Sequence, residues 1–450
     1  MEKTVMMMTT TTTTKVGSEE KIRPRIIVHG GAGNVTRANL PRASYEAYKR
    51  ALLSVLAEAQ ALLGRPEATA LEVAVHAVAR LEDDALFNCG KGAVFTRAGT
   101  NELEASVMVS RGSRRRGVGC TLLKHVKNPV KLAREMLVRG ERDDGGGCAH
   151  AQLSGRELER LAAEWGLEMV GQDYFFTQRR WDEHVRGLER ERGKAEDGRG
   201  AVAAETAAAA GPATNGERVR DGDPSWDGHE YLPQGTVGAV VLDRFGTVCA
   251  ATSTGGLTNK LPGRIGDTPT LGAGFWAEEW MEPSRRADQA AGCRPSSSSS
   301  PLDLLSRGDV VGLLGACLPS LSTGPPHVAQ KSPRDKDDIR HAVGLSGTGN
   351  GDSFLRVNAA RTAAAMTRFA PSVSLAQAVD AVAGPGGELE KSAGDRFGKT
   401  GEGEGGMIGI ELVGSHGRVV QNHNCGGMFR AWVDDDGRHR FMVFKGEEEY

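Results

Sequence analysis

The chain has 450 residues, enough for one large domain or two ordinary ones, and its 39% hydrophobic and 25% charged residues allow a packed core. The 56 Lys and Arg nearly cancel the 58 Asp and Glu, and a formal charge of −2 excludes a global field drawing the chain onto nucleic acid or an anionic membrane. Apolar runs fall short of the ~18 residues of a membrane helix. The N-terminus has no secretory apolar stretch, and seven cysteines without close pairs argue against a disulfide scaffold or zinc ribbon, so a cytoplasmic protein is expected.

Residues 1–24, with a threonine run from Thr9 to Thr14, read as a disordered leader. Arg25 to Val28 is a short strand entering the glycine loop His29-Gly30-Gly31-Ala32-Gly33. Apolar residues at helical spacing follow over Ala43 to Leu63 and Ala68 to Leu81, then a loop from Leu81 to Gly92. Glu102 to Val109 and Val118 to Leu123 form a hairpin through the basic turn Arg111 to Arg116, and Val130 to Val138 is helical. Charge, Ala and Gly without large apolar side chains mark Gly187 to Pro224 as a disordered linker. A second insert starts at Met281 and contains five consecutive serines, and a glycine-rich patch covers Gly384 to Gly406. Final strands are expected at Met407 to Val413, Arg418 to Asn422 and Phe441 to Phe444. Strands in two batches with helices between them predict an α+β layered fold.

The strand pair after the linker carries the first chemical signal. Gly235 to Asp243 and Thr247 to Thr254 close on a three-residue loop, which sets Asp243 opposite Thr247 and, carried back, Thr236 opposite Thr254. Opposed side chains have Cβ atoms roughly 4.5–5.5 Å apart. Read alone, the pair is an ordinary cross-strand threonine contact as well as a candidate site. A threonine hydroxyl becomes a competent nucleophile when a base lies beside it, and an N-terminal threonine carries one in its α-amine, of pKa about 7.7–8.0. Freeing that amine requires a cut before Thr236. A preceding glycine tolerates unusual backbone there, and the linker upstream lets the new end move away.

At these residues the chain resembles the plant-type asparaginase and isoaspartyl peptidase branch of the N-terminal nucleophile hydrolases. The matching stretches are HGGAG (29–33), LFNCGKGAVF (86–95), NELEASVM (101–108), GTVGAVVLD (235–243), ATSTGGLTNKLPGRIGDTP (251–269) and SGTGNGDSF (346–354). The resemblance implies a four-layer αββα sandwich, self-cleavage between Gly235 and Thr236, and Thr236 as nucleophile with Thr254 bonded to its hydroxyl. It assigns the oxyanion hole to Thr348 and Gly349, where a glycine turn leads into a helical pattern. It assigns the substrate α-carboxylate to Arg264 and the α-ammonium to Asp267, in keeping with a guanidinium fork and a carboxylate. Asn88 would support the nucleophile's glycine loop. Backbone carbonyls of Leu81, Glu82, Asp84, Phe87, Cys89 and Lys91 would hold a structural sodium ion, with no catalytic cofactor.

The implied organisation is an α-subunit part over 25–186, a flexible linker over 187–235 ending at the cut, and a β-subunit part over 236–450 with an insert at about 281–340. The implied partners are asparagine or a β-aspartyl dipeptide and, in a dimer, a second cleaved protomer, with neither nucleic acid nor membrane. Two departures stand out: Glu104 where the family commonly has Asp, and Val109-Ser110 where it has an acidic-glycine pair. Competing readings are a taspase-like threonine endopeptidase, which the Arg264 and Asp267 pair opposes, and an uncut, inactive binding protein. The stretch Ala393 to Thr400 fits a relaxed phosphate-loop pattern but lacks the strand and helix that such a loop joins. His29 and His341 are read as structural.

Overall fold

The computed structural model describes residues 21–111, 117–140, 150–207, 235–283 and 338–446, with 194–207 as backbone alone. The leader up to residue 20, the basic turn at 112–116, the linker at 208–234 and most of the insert, 284–337, lie outside the described residues. Two compact units divide the chain: residues 1–279 with 342–450, and residues 280–341. In the second unit Trp280 stacks on His341 at 5.2 Å, and His341 Nε2 lies 3.0 Å from Glu282.

Along the chain, β1 (Arg25–Gly33) leads to α1 (Arg42–Leu63), α2 (Ala70–Glu82), β2 (Leu103–Val109), β3 (Gly117–Leu123) and α3 (Pro129–Gly140). Next come β4 (Gln152–Ser154), α4 (Gly155–Glu164), α5 (Gln178–Ala207), β5 (Val237–Leu242) and β6 (Val248–Thr254). They are followed by β7 (Phe275–Glu282), β8 (Ile339–Gly349), α6 (Gly351–Val357), α7 (Ala359–Phe369), α8 (Leu375–Ala383) and α9 (Glu388–Ala393). The last strands are β9 (Gly405–Val413), β10 (His416–His423), β11 (Gly427–Val433) and β12 (His439–Met442). The fold is α+β: one sheet is ordered β12-β11-β1-β5-β6-β2-β3-β4 and a second β10-β9-β8-β7.

Strand alternation sorts side chains into two cores. Ile26, Val28, Val237, Ala239, Val241, Cys249 and Ala251 join a cluster with residues of α1, α2 and α3. Their neighbours Ile27, Val240, Leu242, Val248 and Ala250 join a cluster with Ile408, Ile410 and Leu412 of β9. Each fully buried branched residue contributes roughly 1.5–3 kcal/mol. The central strands are therefore apolar on both faces, and polar residues at their ends stand out. Tyr48 ties α1 to the site: its ring stacks on Phe429 at 4.3 Å and meets Phe87 edge-on at 5.5 Å, while its hydroxyl donates to Leu86 O at 2.9 Å.

Two expectations are corrected, and a third meets its test. β1 does not stop at Val28 but runs through the glycines to Gly33, its register with β11 shifting between His29 and Gly31. The linker expected from 187 begins inside a helix, since α5 extends from Gln178 to Ala207. Its Ala, Glu, Arg and Lys residues form helix without needing an apolar face. The phosphate-loop pattern falls at the end of α9 and in the turns after it, without the preceding strand that a nucleotide site needs.

Candidate active site

β5 and β6 pair antiparallel with Val237 opposite Ser253 and Gly238 opposite Thr252. The hairpin closes in the expected register, so Thr236, one residue before β5, lies opposite Thr254. Both are buried. The hydrogen bonds differ from expectation. Thr236 Oγ1 meets Thr268 Oγ1 at 2.9 Å, whereas Thr254 Oγ1 accepts from Gly256 N–H at 3.0 Å. Thr254 ends its strand, and its hydroxyl closes the turn that follows instead of crossing to the partner.

Gly235 is enclosed. A Cβ built on it would lie 2.3 Å from Gly31 Cα, 2.4 Å from Ala32 N and 2.6 Å from Thr348 Oγ1. Glycine is required here by contact with the β1 backbone, a reason different from backbone freedom. Thr348, at the end of β8, accepts from Ala32 N–H at 3.2 Å. Gly349 follows at φ 142°, and a Cβ on it would stand 2.4 Å from Glu404 O. The glycine loop after Thr254 is held by Asn88, which donates from Nδ2 to Gly256 O at 2.8 Å and accepts on Oδ1 from Val94 N–H at 3.1 Å.

Beside these hydroxyls lies a buried charged recess. Glu104, on β2 opposite Thr254, accepts from Gly266 N–H at 3.0 Å and so fixes the loop carrying Arg264 and Asp267. The Arg264 guanidinium reaches the exposed Asp352 at 3.3 Å. Arg264 Nε and Asp267 Oδ2 are buried without hydrogen-bond partners among the described residues. Burial raises the Asp267 carboxyl to about 7, against the pull of Arg264. Burial also raises Glu104, opposed by Lys260 and Arg264, and lowers Lys260, which donates to Glu102 O at 2.7 Å. A cation and an anion with unused polar atoms suit a ligand that carries a carboxylate and an ammonium.

The loop expected to hold sodium wraps tightly. A Cβ on Gly90 would lie 2.2 Å from Glu82 O, and one on Gly92 2.2 Å from Phe87 O. Only glycine fits at both positions, and the oxygens that crowd them are backbone carbonyls, the hard donors that an alkali cation takes. Leu81 O and Cys89 O accept from Asp84 N–H at 3.3 Å and Gly92 N–H at 3.0 Å. Arg180 of α5 donates to Gly92 O at 2.8 Å and braces the same loop.

His29, read as structural, lies close to the chemistry. Its Nε2 meets Ser346 Oγ at 2.7 Å across Gly238, and burial drives the imidazole down to about 3, so it is neutral. Sequence reading missed Thr268, Thr252 and Ser106. Ser106 opposes Thr252 in the sheet, and both donate to Thr268 O, at 2.7 and 3.1 Å. A polar alternation, Glu104-Ser106 against Thr252-Thr254, was the available signal. Nothing local brings the loop at 268 back to it.

Comparison with known proteins gives the family. The family model described as Asparaginase matches residues 22–281. An isoaspartyl peptidase of Salmonella typhimurium is 37% identical over 254 residues, covering 56% of this chain and 69% of the relative. A putative isoaspartyl peptidase/L-asparaginase of Dictyostelium discoideum is 33% identical over 261 residues, covering 56% and 70%. A probable isoaspartyl peptidase/L-asparaginase 2 of Arabidopsis thaliana is 29% identical over 416 residues, covering 92% and 96%. The match spans β1, the hairpin that presents Thr236 and the loop of Arg264 and Asp267, and the chain belongs to the asparaginase family.

Proposed function

We propose that this chain is a self-cleaving threonine amidohydrolase that hydrolyses L-asparagine to L-aspartate and ammonia, removes β-aspartyl residues from dipeptides, or does both. The observation that carries the reading is Thr236: a buried hydroxyl directly after a glycine on which a side chain would collide with the β1 backbone and with Thr348 Oγ1. Names of relatives as isoaspartyl peptidases and L-asparaginases support the substrate class.

In the first step Thr236 Oγ attacks the Gly235 carbonyl carbon. The Gly235–Thr236 C–N bond breaks to give an ester and a free α-amine, and water hydrolyses the ester. The amine then serves as base for Thr236 Oγ. Arg264 takes the substrate α-carboxylate and Asp267 its α-ammonium, which leaves the side-chain carbonyl at Thr236. Attack forms a tetrahedral oxyanion stabilised by Thr348 Oγ and Gly349 N–H; the amine leaves with a proton from the Thr236 ammonium, and water releases aspartate. The unpaired Arg264 Nε and Asp267 Oδ2 favour a free amino-acid end over the interior of a protein chain, and hence an amidohydrolase over an endopeptidase.

The two sheets, with α1 to α3 on one side and α8 on the other, support the four layers of an αββα sandwich. Cleavage would divide it into an α-subunit part before Thr236 and a β-subunit part after it, and two such protomers form the proposed dimer. A sodium ion held by carbonyls from Leu81 to Lys91 would stabilise the loop that carries Asn88. Among the described residues no helix is long and apolar enough to cross a membrane.

N-terminal sequencing of purified protein tests the reading: one fragment must begin at Thr236 and carry turnover on asparagine or a β-aspartyl dipeptide. A Thr236→Ala chain must stay whole and inactive. An active protein without that fragment refutes the mechanism.

A further inference from the structure

We infer that Thr268 is a positioning residue whose hydroxyl fixes the rotamer of Thr236 and holds the nucleophile in register with the loop that grips the substrate. The inference rests on the reading of Thr236 as nucleophile. The hydroxyls of Thr236 and Thr268 are 2.9 Å apart, and Thr268 is 1% exposed. Thr254, expected to bond the nucleophile, accepts from Gly256 N–H, and the hydroxyl that meets Thr236 is that of Thr268.

What makes Thr268 a fixed reference is its backbone. Its carbonyl accepts two side-chain hydroxyls, Ser106 Oγ at 2.7 Å and Thr252 Oγ1 at 3.1 Å, whose oxygens lie against each other. On one side, Gly266 N–H is held by Glu104; on the other, Asp267 O accepts from Thr270 N–H at 2.9 Å and Gly274 N–H at 3.1 Å. Residues 266–268 are thereby fastened to β2 and β6. A threonine χ1 has few wells, so one hydrogen bond is enough to select the rotamer that aims Thr236 Oγ1. Adjacent residues then divide the work: Asp267 faces the substrate ammonium, and Thr268 sets the attacking oxygen at a fixed distance from it. A small error in that distance is costly in rate, because the effective molarity of an aligned nucleophile is large.

The test compares full-length Thr268→Val, which keeps the shape and loses the hydroxyl, with Thr268→Ser, which keeps the hydroxyl. The fragment beginning at Thr236 is timed by gel and N-terminal sequencing, and kcat and KM are measured on L-asparagine with the cleaved protein. Thr268→Val is expected to cleave about tenfold more slowly and to lose about tenfold in kcat, with KM within about twofold of the unaltered protein. Thr268→Ser is expected to stay within about threefold in both. Unchanged cleavage and kcat in Thr268→Val, a rise in KM alone, or a loss in Thr268→Ser equal to that in Thr268→Val each overturn the inference. If Thr268→Val does not fold, Thr268→Ala replaces it in the same comparison. Failure of the unaltered protein to yield a fragment starting at Thr236 overturns the nucleophile reading and this inference with it; normal cleavage by Thr268→Val overturns this inference alone.

Discussion

If Asp267 holds the substrate ammonium as proposed, its surroundings make substrate capture depend on pH. Burial raises it to about 7 despite Arg264, so near neutrality the free protein is poised between charged and uncharged forms. Only the carboxylate pairs with an α-ammonium. At pH 6 about one tenth of the molecules carry it, which lowers kcat/KM about tenfold from its plateau. The Thr236 α-amine, of pKa about 7.7–8.0, must also be neutral to act as base, so two deprotonations are required and log kcat/KM falls with a slope near two on the acid side. Asp267→Asn removes one of them: its plateau is lower, but its slope is near one. Steady-state kinetics on L-asparagine from about pH 5.5 to 8.5, in both proteins, give the slopes directly. An unaltered protein whose kcat/KM stays flat below pH 7, or a variant with an unchanged slope, refutes the assignment. Stability moves in the opposite sense to a salt-bridged carboxylate. The folded state binds this proton more tightly than the unfolded chain, whose carboxyl titrates near 3.9, so the contribution is complete below about pH 4 and lost as pH rises through 7.

Replacement of Gly235 by Ala should block self-cleavage. The new Cβ meets backbone at 2.3 and 2.4 Å, with no flexible side-chain end to yield, and overpacking of this kind costs about 1–3 kcal/mol and displaces the scissile carbonyl. A gel time course checks it, and cleavage at the unaltered rate would contradict the crowding argument. Glu82, buried on α2 and accepting from Val130 N–H at 2.9 Å, is raised by burial to about 8. The folded state therefore holds the proton up to about pH 8 and loses stability as pH rises through that value. Glu82→Gln should melt like the unaltered protein at pH 6.5 and at a higher temperature at pH 9; equal melting temperatures at both would refute the neutral carboxyl.

The helices of the first half were legible because their apolar residues recur at helical spacing, and α1 and α2 form within two residues of the expected limits. The hairpin register was legible because a short loop leaves little choice of pairing. β11 was missed for a physical reason: Arg430 in its middle looks like a surface residue. It is buried, and its guanidinium donates to Met428 O and Val443 O at 2.8 and 2.9 Å. The length of α5 was missed because the backbone there is helical over a sequence with no apolar stripe. Within the site, Arg264 and Asp267 were legible only through the family resemblance, since an Arg and an Asp three apart in a Pro- and Gly-bounded loop otherwise read as a surface ion pair. Thr268 was not legible, since a hydroxyl in a loop has many uses and its contact with Thr236 arises from tertiary folding alone.

The crowding at Gly235 also bears on how one site can process its own chain and then a free substrate. Both electrophiles, the Gly235 carbonyl and a side-chain amide, must come within reach of the same Thr236 oxygen, so the acyl group of the substrate has to enter where Gly235 now packs. In the uncut chain that place is bounded by Gly31, Ala32 and Thr348. Thr348 Oγ1 already accepts from Ala32 N–H, which leaves its own hydroxyl hydrogen free to donate. On the proposed mechanism the oxyanion donor is then in place before the first bond is broken. Asp267 and Arg264, one residue and four residues before Thr268, have no step in the proposed cut, and each keeps a buried polar atom without a hydrogen-bond partner among the described residues. As proposed, processing draws only on the hydroxyls and the glycine wall. Turnover adds the charged recess, so loss of Asp267 should spare the first reaction and cripple the second.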